Sequence, residues 1–397
     1  MLRARDPVRK AGSGMTACPS CFEQLRASEF AWICQASGCT QALDPVASGF
    51  VGSEVHSGPI ILLSRPADAA QNWAPPARIH CRQCAAIAQE ACANCHFPLP
   101  ENWRSFDVTT IAMSGARWSG KSFYIAVAVQ QLRNVLTHLH TSLDFADSRS
   151  RDVYRMYFQD PLFGKLKIIQ ATPRSNTEAP PQRYPLIFRL GSLKGAQRML
   201  VIRDVAGEDL EATSEDMTSL SFLRHADSVF FMFDPLAIPA IREHLRGLVP
   251  DQLNTGGDPR LVLGNIRRLM GNASPALAII VSKFDALQAL RNVDDMEWKP
   301  IMSNPGAAFL RDPSLDSGTY DKVDGELLSL EVESLLHKLG AQDFVYALEG
   351  GKPIPHRYFA VSVLGESTDG ESISRLGISP FRILDPIKWV LDLKKII

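Results

Sequence analysis

From Asp107 onward the chain alternates between short, continuous apolar runs and longer stretches with helical spacing. DVTTIAMSG (107–115), YPLIFRLGS (184–192), QRMLVIRDVAGED (197–209), ADSVFFMFDP (226–235), ALAIIVSKFD (276–285) and RYFAVSVLGE (357–366) each contain a strand. Runs apolar at every position, rather than at alternate ones, belong to strands covered on both faces, the habit of parallel sheets between helices. The tract FYIAVAVQQLRNVLTHL after the first run, and DPIKWVLDLKKII at the end, have helical composition. In the latter Ile387, Val390, Leu391 and Ile396 form the buried stripe. The pattern predicts an α/β fold with a mostly parallel sheet. The runs at 184–192 and 197–209 are separated by so few residues that they pair as a hairpin.

The first hundred residues are patterned differently. One apolar run, PIILL (59–63), precedes the loop-like PADAAQNWAPPAR (66–78), and FPLPENWRS (97–105) forms a second break. All eight cysteines lie between Cys18 and Cys95. The divisions expected are a disordered N-terminus (1–15), a cysteine-rich region (16–100) and a nucleotide-binding domain (105–397).

The cysteines come as Cys18/Cys21, Cys34/Cys39, Cys81/Cys84 and Cys92/Cys95, three of these pairs being C-x-x-C. Two residues between thiolates let one turn aim both sulfurs at a single ion, and four thiolates complete the shell of structural Zn²⁺. Four disulfides are the other reading; they need an oxidising compartment, and nothing in the sequence directs secretion. Two Zn²⁺ ions are therefore expected. The 41-residue gap from Cys39 to Cys81 favours sequential pairing, with Cys18, Cys21, Cys34 and Cys39 in one module (16–45) and Cys81, Cys84, Cys92 and Cys95 in another (78–98), over an interleaved arrangement. His80 and His96 flank the knuckles as solvated or supporting residues, or as replacements for a thiolate.

Composition narrows the class without naming a partner. Apolar residues make 45% of the chain, charged residues 21%, and the net charge is −1, close to an average soluble domain. The balanced charge disfavours nucleic acid as a partner. No apolar run reaches 18 residues and no signal-peptide core follows the basic start, so a cytoplasmic protein without a membrane partner is expected.

Chemistry concentrates where the apolar runs end. Gly115-Ala-Arg-Trp-Ser-Gly120-Lys121-Ser122 is a G-x-x-x-x-G-K-[ST] loop between a strand and a helix, the context in which backbone N–H groups and the helix dipole cradle phosphate. Lys121 would reach the β- and γ-phosphates and Ser122 would take one Mg²⁺ position, with Phe123 next to it in the nucleotide contact set. Asp204-Val-Ala-Gly207 is a D-x-x-G at a strand end. There Asp204 can hold Mg²⁺ through water while the Gly207 N–H senses the γ-phosphate.

Ser282-Lys283-Phe284-Asp285 resembles the [NT]-K-x-D motif of GTPases. The resemblance implies that Asp285 accepts from guanine N1 and N2 while the Lys283 stem packs on the base. Ser282 stands where Asn or Thr is usual. Ser362-Val363 is similar to the short segment that contacts guanine O6. The order of these motifs resembles the Ras-like translation-factor class of P-loop GTPases. Together with cysteine knuckles in front and a long switch insertion, it resembles a bacterial group of double-GTPase proteins. That implies GTP or GDP and Mg²⁺ as ligands, slow hydrolysis, and zinc-ribbon-like modules docking a protein, such as a second GTPase.

Four residues carry the hydrolytic expectation. Besides Lys121, these are Glu208, directly after the D-x-x-G where relatives carry a water-orienting glutamine; Arg117, as an arginine finger in cis or a solvated side chain; and Thr177 (with Thr172 as alternate), as the switch threonine on Mg²⁺. A non-hydrolysing guanine-nucleotide scaffold, a zinc-ribbon nucleic-acid binder under nucleotide control, and an ATPase are the competing readings. Tyr154, Tyr157 and Phe158 in the insertion 141–183 are read as local core, or as a partner helix.

Overall fold

The computed structural model describes residues 16–70, 73–164, 183–211, 218–250, 256–292, 297–315, 317–350, 352–365 and 377–397. The front end forms β1 (Glu29–Ile33), β2 (Ala42–Leu43), helix α1 (Pro45–Val51), β3 (His56–Ser57), β4 (Ile60–Ser64), β5 (Ile79–His80) and β6 (Ile87–Ala91). Four of these make one antiparallel sheet in the order β4-β1-β6-β5. Asp44 starts α1 by accepting the Ala47 N–H at 3.0 Å, with Pro45 in the first turn, and Gly52 ends it at φ 80°, as capping rules require.

This sheet corrects the expected division into separate modules at 16–45 and 78–98. The interior strand β1 pairs with β4 on one side and β6 on the other, so residues from both halves and from the stretch between them build one unit. So small a sheet buries little apolar surface; one face gathers Phe30, Trp32 and Ala88. A fold of this size ordinarily needs a metal or a neighbour to hold it.

The larger part of the chain is a seven-stranded sheet. Its strands are β7 (Asp107–Gly115), β8 (Asp144–Phe145), β9 (Leu186–Leu193), β10 (Ala196–Asp204), β11 (Ser228–Phe233), β12 (Ala276–Val281) and β13 (His356–Ala360), in the order β13-β12-β11-β7-β10-β9-β8. The pairs β13·β12, β12·β11, β11·β7 and β7·β10 are parallel; β9 and β8 add on antiparallel. Lys194 and Gly195, both at positive φ, turn the β9–β10 hairpin. Every residue of β11 is buried and only the first of β12 is not, the double coverage that their continuous apolar sequences predict.

Helix α2 (Lys121–His138) follows β7 directly and buries Tyr124 to Val129 together with Leu132, Val135 and Leu136. Next in chain order come α3 (Ser148–Tyr154), α4 (Gly207–Glu211), α5 (Pro239–His244), α6 (Pro259–Met270), α7 (Phe284–Gln288), α8 (Trp298–Met302), α9 (Lys322–Lys338), α10 (Gln342–Glu349) and α11 (Asp385–Leu393). Ile387, Val390, Leu391 and Ile396 are buried as the closing stripe predicts. Helix α3 runs on into a π-helical stretch, Arg155–Gly164. There Tyr154 and Phe158 are buried and stacked at 6.1 Å, so the aromatic stripe is core.

The small sheet does not stand apart from the large one. Cys18, Cys21, Phe22, Cys92 and Cys95 belong to the same apolar core as the seven strands. Trp103, fully buried, donates its Nε1–H to the Ala17 carbonyl at 2.9 Å, and Thr16 Oγ1 donates to the Phe106 carbonyl at 2.9 Å.

Candidate functional site at the carboxyl edge of the sheet

Parallel pairing brings the carboxyl ends of five strands to one edge. Gly115 lies opposite Met232, Asp204 opposite Met113, Phe233 opposite Val281, and Val281 opposite Ala360. Crevices at such an edge are where open α/β sheets take ligands.

The glycine loop leaves β7 with Gly115 at φ 140° and enters α2 with Gly120 at φ 88°. A Cβ on Gly115 would lie 2.0 Å from the Met232 carbonyl oxygen, so glycine is needed for close approach as well as for the turn. Trp118 also adopts positive φ, 64°. Lys121 folds back over the loop, its Nζ donating to the carbonyls of Gly115 at 3.0 Å and Ala116 at 3.1 Å. Burial pushes its pKa down, and the carboxylates of Asp204 and Glu211 push back. Ser122 and Phe123, on the first turn of α2, are half-buried.

The D-x-x-G segment packs on this loop. A Cβ on Gly207 would meet the Arg117 backbone nitrogen at 2.4 Å. Arg117 Nη1 pairs with Glu208 Oε1 at 2.7 Å, joining two of the expected hydrolytic residues to each other. Glu211, which carries no spacing signal in the sequence, accepts the Arg117 backbone N–H at 3.2 Å. Gly256 reaches the same place from a distant loop, its Cα facing the Arg117 carbonyl so closely that a Cβ would sit at 2.3 Å. Thr172 and Thr177 lie outside the described residues.

Farther along the same sheet edge Ser362 Oγ donates to Asp285 Oδ1 at 2.5 Å and accepts the Gly365 N–H at 3.1 Å. Ser282 Oγ donates to the Phe233 carbonyl at 2.9 Å, so the serine in the unusual position ties its loop to β11. Lys283, at φ 49°, pairs with the buried Asp234 at 2.5 Å, and Asp234 also accepts the Leu236 N–H at 2.8 Å. Asp234 thus caps the turn after β11 and also holds Lys283, which the sequence did not announce. Val363 is buried beside them.

The cysteines assemble into two tetrads, an inner one in the main core, Cys18/Cys21/Cys92/Cys95, and an outer one, Cys34/Cys39/Cys81/Cys84, with the sulfurs of each within 4.8 Å of one another. Pairing is interleaved, so the sequential grouping is corrected: the antiparallel sheet brings a knuckle from each half of the region to each point. Sulfur–sulfur distances of 3.6 and 3.8 Å in the inner tetrad, and 3.5 and 3.7 Å in the outer, far exceed a disulfide bond. They match the edge of about 3.8 Å of a tetrahedron with Zn–S bonds of about 2.3 Å. Backbone donors add to the fit. The Ser20 N–H points at Cys18 Sγ at 3.4 Å, and the N–H groups of Cys84 and Gln83 bring the Cys81 thiol down to about 7. Both tetrads suit a structural Zn²⁺. His96 instead pairs with Asp44 at 2.9 Å, and His80 contacts the Ala85 carbonyl at 2.9 Å, so both histidines support the knuckles without joining a tetrad.

A mostly parallel α/β domain with a glycine loop between its central strand and the helix that follows, carrying a module built around two cysteine tetrads, defines the class. A family model described as Double-GTPase 2 matches residues 109–315, and the chain belongs to that family. It is also 42% identical, over 380 residues, to a Mycolicibacterium smegmatis protein named "Putative ESX-1 scaffolding and assembly protein SaeC"; the match covers 95% of this chain and 98% of the relative. Among the described residues no helix is long and apolar enough to cross a membrane.

Proposed function

We propose that the chain is a guanine-nucleotide-binding switch of the Ras-like P-loop kind that hydrolyses GTP slowly and works with a protein partner in an assembly process. In this reading the loop from Gly115 to Ser122 takes the phosphates, with Lys121 on the β- and γ-oxygens. Ser122, Asp204 and the switch threonine, Thr177, serve Mg²⁺, whose charge offsets that of the phosphates. Asp285, held by Ser362, reads the guanine edge, and Lys283 and Val363 border the base. The observation that carries the reading is the 2.5 Å bond from Ser362 to Asp285, which aims a carboxylate at the same sheet edge as the glycine loop. Adenine offers no matching pair of donors to such a carboxylate.

Protein docking and assembly are supported by the scaffolding relative. Each cysteine tetrad takes one Zn²⁺, and the ribbon is the docking module.

A second reading, a guanine-nucleotide scaffold that does not hydrolyse, is favoured by the Arg117–Glu208 pair. While they hold each other, Arg117 is drawn from the role of finger and Glu208 from that of water-orienting base. Phosphate release from GTP, with Lys121→Ala as the control for contaminants, separates the two. In Arg117→Ala, release unchanged within twofold would remove the finger role. The nucleotide assignment is tested by binding GDP against ADP. Asp285→Asn should weaken GDP and move preference toward xanthine nucleotide, whose 2-oxo group needs a donor. Equal binding of ADP and GDP would overturn it.

A further inference from the structure

Strand β10 ends in two charged residues facing opposite ways: Asp204 toward the glycine loop, and Arg203 toward the cysteine module. A guanidinium is costly to bury without partners, yet Arg203 is only 7% exposed. Its Nη1 donates to the carbonyl of Ser20, inside the first knuckle of the inner tetrad. Its Nη2 reaches the carbonyls of Phe50 at 3.2 Å, at the end of α1, and of Ser219 at 3.4 Å. Its guanidinium carbon lies 3.9 Å from the Phe222 ring centre, and Phe222 meets Phe22 of the same knuckle edge-to-face at 5.3 Å. Ser219 and Phe222 belong to the short helical segment Thr218–His225 that leads from the D-x-x-G region into β11. One side chain therefore joins the inner knuckle, α1, the segment after the D-x-x-G region and the strand end bearing Asp204.

We propose that Arg203 is a positioning residue that holds Asp204 in register for Mg²⁺ by anchoring the end of β10 to the inner cysteine module. This deepens the nucleotide reading above and rests on Asp204 as the Mg²⁺ carboxylate. The inner tetrad then has a second role: it is the fixed point against which the metal-binding edge of the nucleotide site is set. The outer tetrad makes no contact with Arg203 among the described residues and has no part in this.

The test is the affinity of the full-length, zinc-loaded chain for fluorescent GDP, with Mg²⁺ and with EDTA. In Arg203→Met the tightening that Mg²⁺ gives should shrink about tenfold, while affinity in EDTA stays within twofold; Arg203→Lys should restore part of it. Phe222→Leu keeps the three carbonyl contacts but removes the ring, and should lose part of the tightening even if Arg203→Met does not fold. Mg²⁺ tightening within twofold of the natural chain in a folded variant overturns the proposal. So does equal weakening with and without Mg²⁺, which would mark Arg203 as support for the fold alone. If the natural chain binds no guanine nucleotide, the failure is that of the nucleotide reading and shows separately.

Discussion

Ser362→Ala removes one oxygen and tests the base-reading role proposed for Asp285. That oxygen donates to Asp285 at 2.5 Å and accepts the Gly365 N–H at 3.1 Å. Its loss takes one donor from the carboxylate, and one of its ties from the loop after β13. A hydrogen bond to a charged group contributes about 1.5–3 kcal/mol. Felt fully in binding, that is about a 10- to 150-fold loss of affinity. The loss should fall on GDP more than on IDP, which lacks the 2-amino donor, so the ratio of their dissociation constants narrows. Titration of fluorescent nucleotide gives the absolute affinity, competition by GDP, IDP and ADP gives the ratio, and a thermal melt shows that the variant folds. Ser362→Thr keeps the hydroxyl and should bind nearly as the natural chain does. A folded Ser362→Ala with GDP affinity within threefold and an unchanged GDP/IDP ratio would refute the positioning of Asp285 by Ser362.

Gly115→Ala should cost more than about 2 kcal/mol in urea unfolding, because its Cβ would fall 2.0 Å from backbone rather than against a movable side chain; a midpoint equal to the natural chain's would contradict the packing. Cys18→Ser should lower the melting temperature more than Cys34→Ser, since Cys18 lies in the main core and Cys34 in a small cluster of its own; elemental analysis should find two Zn per natural chain and about one in each variant. Asp258 caps α6 by accepting the Arg260 N–H at 2.9 Å, and chiefly its bond from the Arg260 side chain holds its pKa below the ordinary carboxyl value. A lowered folded pKa stabilises above the unfolded value and is lost as pH falls through the folded one. Asp258→Ala should therefore cost about 0.5–1 kcal/mol near neutrality and less in acid, where the protonated carboxyl caps only as a neutral acceptor, compared by urea titration at the two pH values.

How legible the site was depended on whether its parts are local. The loop from Gly115 to Ser122 is contiguous, and its spacing alone states the turn that it must make. Asp285 and Ser362 were each recognisable as motif residues at strand ends, and their contact follows once β12 and β13 are parallel neighbours. Glu211, Gly256 and Arg203 were not legible. Each acts through a contact with a segment far away in sequence, and nothing in its neighbours marks it. The Arg117–Glu208 pair was likewise hidden, although both residues had been singled out for other work. With the cysteines, spacing identified the knuckles correctly and their partners wrongly.

Local order along the chain was thus enough to establish an α/β architecture, the glycine loop between β7 and α2, the hairpin of β9 and β10, and cysteines set in pairs that suit a metal, because each depends on residues within one element or one turn. Which knuckle meets which, how the cysteine module sits against β10, and which acids face the glycine loop were decided only in three dimensions. The pairing energy of strands and the burial of side chains join segments without regard to their separation in sequence, so no spacing along the chain records those choices.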